Sequence, residues 1–378
     1  MLNIIFLGGE DVSARIDIAQ LLKQKGCNVS IIGSEDSSIF EASGIPYQKI
    51  RINRELNIID DIKTILNIRK ILKNQKEKTV VHAFDTKLII YLPFAAIGLK
   101  NIKTVRTING MGRVFSGDSM KHKLFQKAYV LIQSIIKNKV DYTIFQNTDN
   151  FKYFRNKNIV NTSSSKIVKG SGINIQKFQS FVPDELKQEL RQELQIDAHL
   201  PTVILISRLI KQKGVYEYLQ AAKYCNEKIK RFNFLLVGQI DTKEDAVSFD
   251  EIRRYSDYVN YIGRRNDVKE LLSISDIFVL PTYYSEGIPR VLLEASIMRL
   301  ALVSTDMPGC NDVVIDDFNG KIVKIKSSED LAEKLNFLVS DNQLLQIMKE
   351  NSFTHVQQFS LDKVASDCLN IYKELIAK

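Results

Sequence analysis

The sequence predicts an α/β protein built of two successive doubly wound parallel-sheet domains, and three observations carry that prediction. Short apolar runs alternate with amphipathic stretches, the series restarts near the middle of the chain, and 378 residues exceed the size at which one hydrophobic core keeps growing. Apolar residues make up 44% and charged residues 26%, the balance of an ordinary globular protein.

Taken in order, NIIFLGG (3–9) reads as a buried strand ending in glycines, SARIDIAQLLKQKG (13–26) has helical spacing and a glycine stop, and NVSIIG (28–33) is again a strand. Strand, helix and strand within about thirty residues make a parallel βαβ unit. TVVHAF (79–84), KTVRTI (103–108) and DYTIFQN (141–147) continue the sheet. The second series runs TVILIS (202–207), a helix over 214–229, FNFLLVG (232–238), VNYIG (259–263), IFVLPT (277–282), ALVST (301–305) and GKIVKI (320–325). The predicted domains are 1–175 and 176–360, with a terminal helix over 361–378 that packs back on the first domain. In open sheets of this kind ligands bind beyond the carboxyl ends of the strands, so the active site is expected in the cleft between the two domains.

Other features narrow the function. The opening MLNIIFLGGED lacks a basic leader and reads as a first strand, not a signal peptide. The longest apolar run, LIIYLPFAAIGL (88–99), is short of the roughly twenty residues that cross a bilayer, so a soluble chain is expected. Cys27, Cys225, Cys310 and Cys368 are widely spaced, which suggests reduced thiols in a cytoplasm and neither a zinc site nor a disulfide framework. Charge is uneven: residues 1–180 hold 28 basic and 14 acidic side chains, the remainder 25 and 30. A basic first half suits nucleic acid, anionic headgroups, a phosphorylated substrate, or simply a solvated lysine-rich surface.

The loops at the strand ends hold the candidate chemistry. Gly8 and Gly9 follow the first strand, where glycine lets backbone amides approach an anion or simply allows a tight turn. No G-x-G-x-x-G follows them, against a dinucleotide cofactor. Arg208 and Lys213 leave the first strand of the second series, a fork and a mobile point charge suited to a diphosphate. TYYSEGIPRVLLEAS (282–296) places Glu286 before a glycine turn and Glu294 inside the next helix. The amides of Gly287, Ile288, Arg290 and Val291 can face an anion with the helix dipole behind them. Glu286 suits sugar hydroxyls; Glu294, in an otherwise apolar helix, needs a partner such as a ribose diol.

Those residues in that order, GG at 8–9, SRLIKQKG at 207–214, YIG at 261–263, EGIPRVLLE at 286–294 and MPGCNDVV at 307–314, resemble the retaining glycosyltransferases of family 4, of the GT-B fold, over nearly the whole chain. The resemblance implies that Glu286 contacts the donor sugar, Glu294 the ribose, Arg208 and Lys213 the diphosphate, and the backbone at Arg264 the base. VHAFDTK (81–87) and TINGMGRVFS (107–116) are similar to the branch assembling capsule, O-antigen and exopolysaccharide. Asn109 stands where members often have a histidine; it can bond donor hydroxyls but cannot titrate near neutral pH. Lys87 and Arg113 are candidates for the acceptor's phosphates, and His82 reads as structural. The implied reaction is metal-independent, needs no cofactor, and retains anomeric configuration. It moves a sugar from a nucleotide sugar, expected to be a UDP-sugar, to a saccharide on a polyprenyl diphosphate. No D-x-D motif stands at a strand end to hold a metal.

The stretch MKHKLFQKAYVLIQSIIKNKV (120–140) is amphipathic at helical spacing, with Leu124, Ala128, Ile132, Ile135 and Ile136 against five lysines. It can lie on an anionic membrane or serve as a crossover helix with solvated lysines. Peripheral contact with the inner face of the plasma membrane is the expectation. The competing readings are a UDP-sugar epimerase of the same fold, which would carry more acid/base residues than this chain shows, a non-catalytic sugar-nucleotide sensor, and a nucleic-acid-binding protein. No recognition motif supports the last, so nucleic acid is not an expected partner.

Overall fold

The structure, a computed structural model, describes residues 1–53, 57–111, 115, 119–240, 245–285 and 287–377, apart from the side chain of Lys121. The chain forms two compact units, residues 1–172 with 359–378, and residues 173–358.

The first unit is a parallel sheet of β1 (Leu2–Leu7), β2 (Cys27–Gly33), β3 (Tyr47–Lys49), β4 (Thr79–Ala83), β5 (Ile102–Ile108), β6 (Tyr142–Phe145) and β7 (Ser165–Ile167). Among the described residues their order is β3-β2-β1-β4-β5-β6-β7, so the winding reverses between β1 and β4. β4, TVVHA, is buried along its whole length, as a central parallel strand covered on both faces must be. The edge strands β3 and β7 have three residues each and too little apolar pattern to be predicted.

One sheet face packs on Ile18 and Leu22 of the helix Ile16–Gln24 and on Val364, Ile371 and Tyr372 of the helix Leu361–Ala377. The terminal helix is thus part of the first unit's core. It is also tied by polar contacts, because the Tyr372 hydroxyl lies 2.5 Å from His82 Nδ1, and His82 Nε2 lies 2.6 Å from Thr107 Oγ1. The opposite face is covered by Ile68 and Leu72 of the helix Ile58–Lys73, Leu88 and Leu92 of the helix Leu88–Ala95, and Tyr129 of the helix Met120–Ile136.

The second unit repeats the plan with β8 (Thr202–Ile206), β9 (Asn233–Val237), β10 (Asn260–Tyr261), β11 (Ile277–Leu280), β12 (Ala301–Thr305) and β13 (Gly320–Val323), all parallel. The described order is β10-β9-β8-β11-β12-β13, with the reversal between β8 and β11. Val203, Leu205, Phe234, Leu236, Ile277 and Val279 build its core from the strand side.

Candidate functional site

A crevice opens beyond the carboxyl ends of the strands wherever a doubly wound sheet reverses, because the helices leaving the two central strands diverge to opposite faces. In the second unit that point lies between β8 and β11, and both charged candidates of the first series leave β8. Arg208 is exposed, whereas Lys213 ends a single 3₁₀ turn, Lys211–Lys213, and is 9% exposed.

Several contacts bind the Lys213 turn to the segment leaving β11. The Gln212 carbonyl accepts from the Tyr283 N–H at 2.9 Å and from Thr282 Oγ1 at 2.9 Å. Lys213 Nζ stands 5.6 Å from the centre of the Tyr284 ring, within cation–π range. Gly214 holds φ 76°, and a Cβ there would lie 2.2 Å from the Pro281 carbonyl oxygen. No other residue allows both that dihedral and that approach.

Beyond the turn, Pro289 (φ −64°, ψ 115°) caps the helix Arg290–Ile297. Having no side-chain acceptor, it cannot satisfy the helix's first amides itself, and these amides carry the positive end of the helix dipole. Gly287, Ile288, Arg290 and Val291 all lie at this end. One turn in, Arg290 Nε donates to Glu294 Oε1 at 3.1 Å. The glutamate side chain is 12% exposed and the arginine 51%; burial raises the Glu294 pKa, and Arg290 partly offsets it. Glu286 falls outside the described residues.

The same edge continues across β9 and β10. Gly238 donates to the Gly263 carbonyl at 2.9 Å, and the Tyr261 hydroxyl donates to the Gly238 carbonyl at 3.0 Å. Gly263 has φ 70°. Arg264 follows, with Nη1 3.5 Å from Gln239 Oε1. Arg208 and Lys213 thus follow β8, Arg264 follows β10, and the amides of Gly287, Ile288, Arg290 and Val291, with Glu294, follow β11, all beyond carboxyl ends of strands in one sheet.

In the first unit the reversal lies between β1 and β4, and here the sequence reading needs correction. The Gly8 N–H donates to the Ile32 carbonyl at 3.0 Å, and the Gly9 N–H donates to Asp85 Oδ2. Both amides are thus committed within the fold and do not form an anion cradle. Close packing explains the glycines instead: a Cβ on Gly8 would meet Val12 Cγ2 at 2.4 Å, and one on Gly9 would meet Asp85 Oδ2 at 2.8 Å.

Asp85, which motif reading passed over, is the notable group at this edge. It follows β4 with φ 67°, an uncommon conformation for a residue with a Cβ. Its pKa is pushed up to about 6, first by burial and then by Asp11, against the Gly9 N–H and Arg15. Asn109, just after β5, carries a buried Oδ1 that accepts no hydrogen bond among the described residues. Lys87 is less open to a ligand than its position suggested, since Nζ donates to Asp61 Oδ1 at 2.8 Å and to the Asn53 carbonyl at 2.9 Å. Arg113 lies outside the described residues. His82 is a core residue, 2% exposed, whose pKa burial and Arg15 hold well below the ordinary value.

Residues 187–355 match the family described as Glycosyl transferases group 1. The chain is 28% identical over 372 residues to the N,N'-diacetylbacillosaminyl-diphospho-undecaprenol alpha-1,3-N-acetylgalactosaminyltransferase of Campylobacter jejuni, covering 96% of this chain and 95% of that one. It is 24% identical to the UDP-Gal:alpha-D-GlcNAc-diphosphoundecaprenol alpha-1,3-galactosyltransferase of Escherichia coli, over 85% of this chain and 82% of the relative. Among solved structures, a glycosyltransferase from Rickettsia africae superposes with a TM-score of 0.81 at 19% identity, covering 99% of both chains. Anabaena Alr3699/HepE in complex with UDP gives 0.82 at 17% identity, covering 99% of this chain and 100% of that one. The fold class is GT-B.

Proposed function

We propose that this chain, whose residues 187–355 match the family described as Glycosyl transferases group 1, moves a sugar from a UDP-sugar to a saccharide carried on a polyprenyl diphosphate, in the assembly of a surface polysaccharide. The observation that carries the donor half is the Lys213 turn, whose Gln212 carbonyl accepts from the Thr282 hydroxyl and the Tyr283 N–H in the segment that leads into the Arg290–Ile297 helix. That lock ties a lysine only 9% exposed to the segment entering the helix, an arrangement suited to a diphosphate.

Breaking the glycosidic bond leaves negative charge on the departing nucleoside diphosphate. Lys213, Arg208 and the amides of Gly287, Ile288, Arg290 and Val291 stabilise that charge as it develops. Glu294 accepts from the ribose hydroxyls, the backbone at Arg264 faces the base, and Glu286 holds the sugar. Transfer retains configuration by attack from the leaving group's own face, with the departing phosphate taking the acceptor proton, and needs no metal.

The acceptor binds the first unit beside Asp85, and Asn109 contacts hydroxyls of the sugar being transferred. The relatives named for diphospho-undecaprenol substrates support the lipid-linked acceptor. Such an acceptor places the reaction at the cytoplasmic face of the membrane. The contact this reading calls for is peripheral; no helix among the described residues is long and apolar enough to cross a membrane.

The test is chromatographic: purified protein, EDTA, a panel of UDP-, GDP-, ADP- and dTDP-sugars, and synthetic short-chain polyprenyl-diphosphate saccharides. Release of UDP with a lengthened lipid saccharide is expected. Conversion of a UDP-sugar to its epimer with no lengthened product would replace the transferase reading.

A further inference from the structure

The first unit holds a cavity of about 230 Å³ lined by Arg51, Asn53, Asp60, Lys63, Thr64 and Asn67. Its position follows from the fold. β3 pairs in parallel with β2 as far as Gly33 and Lys49, so Arg51 and Asn53 lie just beyond the carboxyl end of that edge strand. The helix Ile58–Lys73 begins near the same edge, where the Thr64 hydroxyl reaches the Asp60 carbonyl at 2.8 Å and the Arg51 carbonyl at 3.4 Å. Asp60, Lys63, Thr64 and Asn67 share one face of that helix, being three, one and three residues apart. From the loop after β4, Lys87 Nζ donates to the Asn53 carbonyl at 2.9 Å. The cavity therefore adjoins the loop that carries Asp85, beside which the acceptor is proposed to bind.

The lining sets the chemistry of what fits. Every side chain in it is polar, so neither an aromatic platform nor an aliphatic wall invites an apolar ligand. Arg51 and Lys63 are exposed, and neither forms an ion pair among the described residues. Of the two carboxylates in the helix's first turn, Asp61 is neutralised by Lys87 at 2.8 Å. Asp60 accepts from Asn53 Nδ2 at 3.1 Å, which leaves it lone pairs for further donors. Two cations against the Asp60 carboxylate leave the lining a net charge of +1, the complement of a monoanion. A diphosphate brings more negative charge than that and has no hydroxyl to give Asp60. A sugar bearing a carboxylate meets both demands, and the volume, just below the roughly 300–1,000 Å³ of drug-sized ligand sites, is on the scale of one sugar ring.

We propose that this cavity binds an acidic sugar, a hexuronate residue of the saccharide acceptor, and so selects acceptors that carry one. The guanidinium of Arg51 and the ammonium of Lys63 take the carboxylate oxygens, while Asp60 accepts from ring hydroxyls and Asn67 bonds them as donor or acceptor. The proposal deepens the acceptor half of the function above and rests on that reading for its purpose. Because both cations are solvent-exposed, the attraction is screened by salt.

The experiment is saturation-transfer NMR of the full chain with methyl β-D-glucuronide and methyl β-D-glucoside, which differ only in a carboxylate against a hydroxymethyl group. Each is measured with and without saturating UDP, beside transfer to short-chain polyprenyl-diphosphate saccharides that contain or lack a glucuronate. Wild type should bind the glucuronide about tenfold more tightly than the glucoside, lose that preference in high salt, and keep it when UDP is bound. Arg51→Gln with Lys63→Gln should abolish the preference and Lys63→Arg should retain it, with circular dichroism and melting temperature checking each fold. The KM for the glucuronate-bearing acceptor should lie below that of its neutral counterpart, and the Gln pair should raise it about tenfold with UDP affinity unchanged. Equal binding of the two glycosides, equal KM values, or a preference that the Gln pair leaves intact would overturn the proposal. So would displacement of the glucuronide by UDP, or by geranyl diphosphate with UDP already bound, which would assign the cavity to the carrier's diphosphate. Failure of the transferase reading is separately visible, as glucuronide binding without transfer to any acceptor.

Discussion

The backbone N–H of Gly9 donates to the carboxylate of Asp85, joining the loops that leave β1 and β4 across a separation of 76 residues. The contact holds a carboxylate in a left-handed backbone at the point where the sheet reverses. Its folded pKa of about 6 stands above the ordinary 3.8, so the folded state binds the proton more tightly than the unfolded state. Stability therefore falls as pH rises through that interval, by of order 1–3 kcal/mol. Asp85→Asn keeps an acceptor for Gly9 and tolerates the positive φ. Its melting temperature should exceed wild type at pH 8, with the gap closing by pH 4, while transfer is reduced. An equal gap at both pH values would show that the ionised carboxylate is not the source.

Glu294 is expected to hold the donor through its nucleoside. Glu294→Gln keeps the volume and weakens the acceptor, so donor affinity should fall about 10- to 100-fold, with a larger effect on KM than on kcat. Calorimetry with UDP alone reports this, because no sugar is needed for a ribose contact. Arg290→Ala should cost less, as that side chain is half exposed. UDP affinity unaltered in Glu294→Gln would remove the ribose assignment.

Lys213 and Gly214 should separate chemistry from placement. Lys213→Ala removes charge stabilisation from the leaving group and should lower kcat about 100-fold with little change in melting temperature. Gly214→Ala drives a Cβ into the Pro281 carbonyl, so it should lose both stability and activity. A Lys213→Ala enzyme with normal kcat would shift the diphosphate contact to Arg208 and the helix amides alone.

Where pattern and packing coincide, the sequence is readable. The apolar runs that became β4, β8 and β11 could only be buried strands, and Arg208, Lys213 and Glu294 were visible because their spacing maps onto strand ends and a helix. Edge strands of three residues, Tyr47–Lys49 and Ser165–Ile167, leave no periodic signal. Glycine identity alone did not distinguish an anion cradle from close packing; at Gly8 the partner is Val12. Asp85 was hidden because its neighbour Gly9 is remote in sequence. Amphipathicity also states that a helix has two faces without stating which one meets the core, and in Met120–Ile136 the polar Gln133 points inward to Arg106.

His82 links the terminal helix to the first sheet and makes its docking pH-dependent. A neutral imidazole has one donor and one acceptor nitrogen, and the Tyr372 and Thr107 hydroxyls can answer both. The charged form is disfavoured by burial and by the nearby Arg15, which depress its pKa well below 6.5. The unfolded chain takes up this proton below about pH 6.5 and the folded chain does not. Stability present above that pH is consequently lost as pH falls, by at most about 1.4 kcal/mol per pH unit. Denaturant titrations at pH 7.5 and 5.5 should show this loss for wild type and a smaller one for His82→Asn. Tyr372→Phe should cost about 1–3 kcal/mol at pH 7.5 by leaving a buried nitrogen unpaired. Parallel acid profiles for wild type and His82→Asn would assign the pH dependence of this unit to its carboxylates.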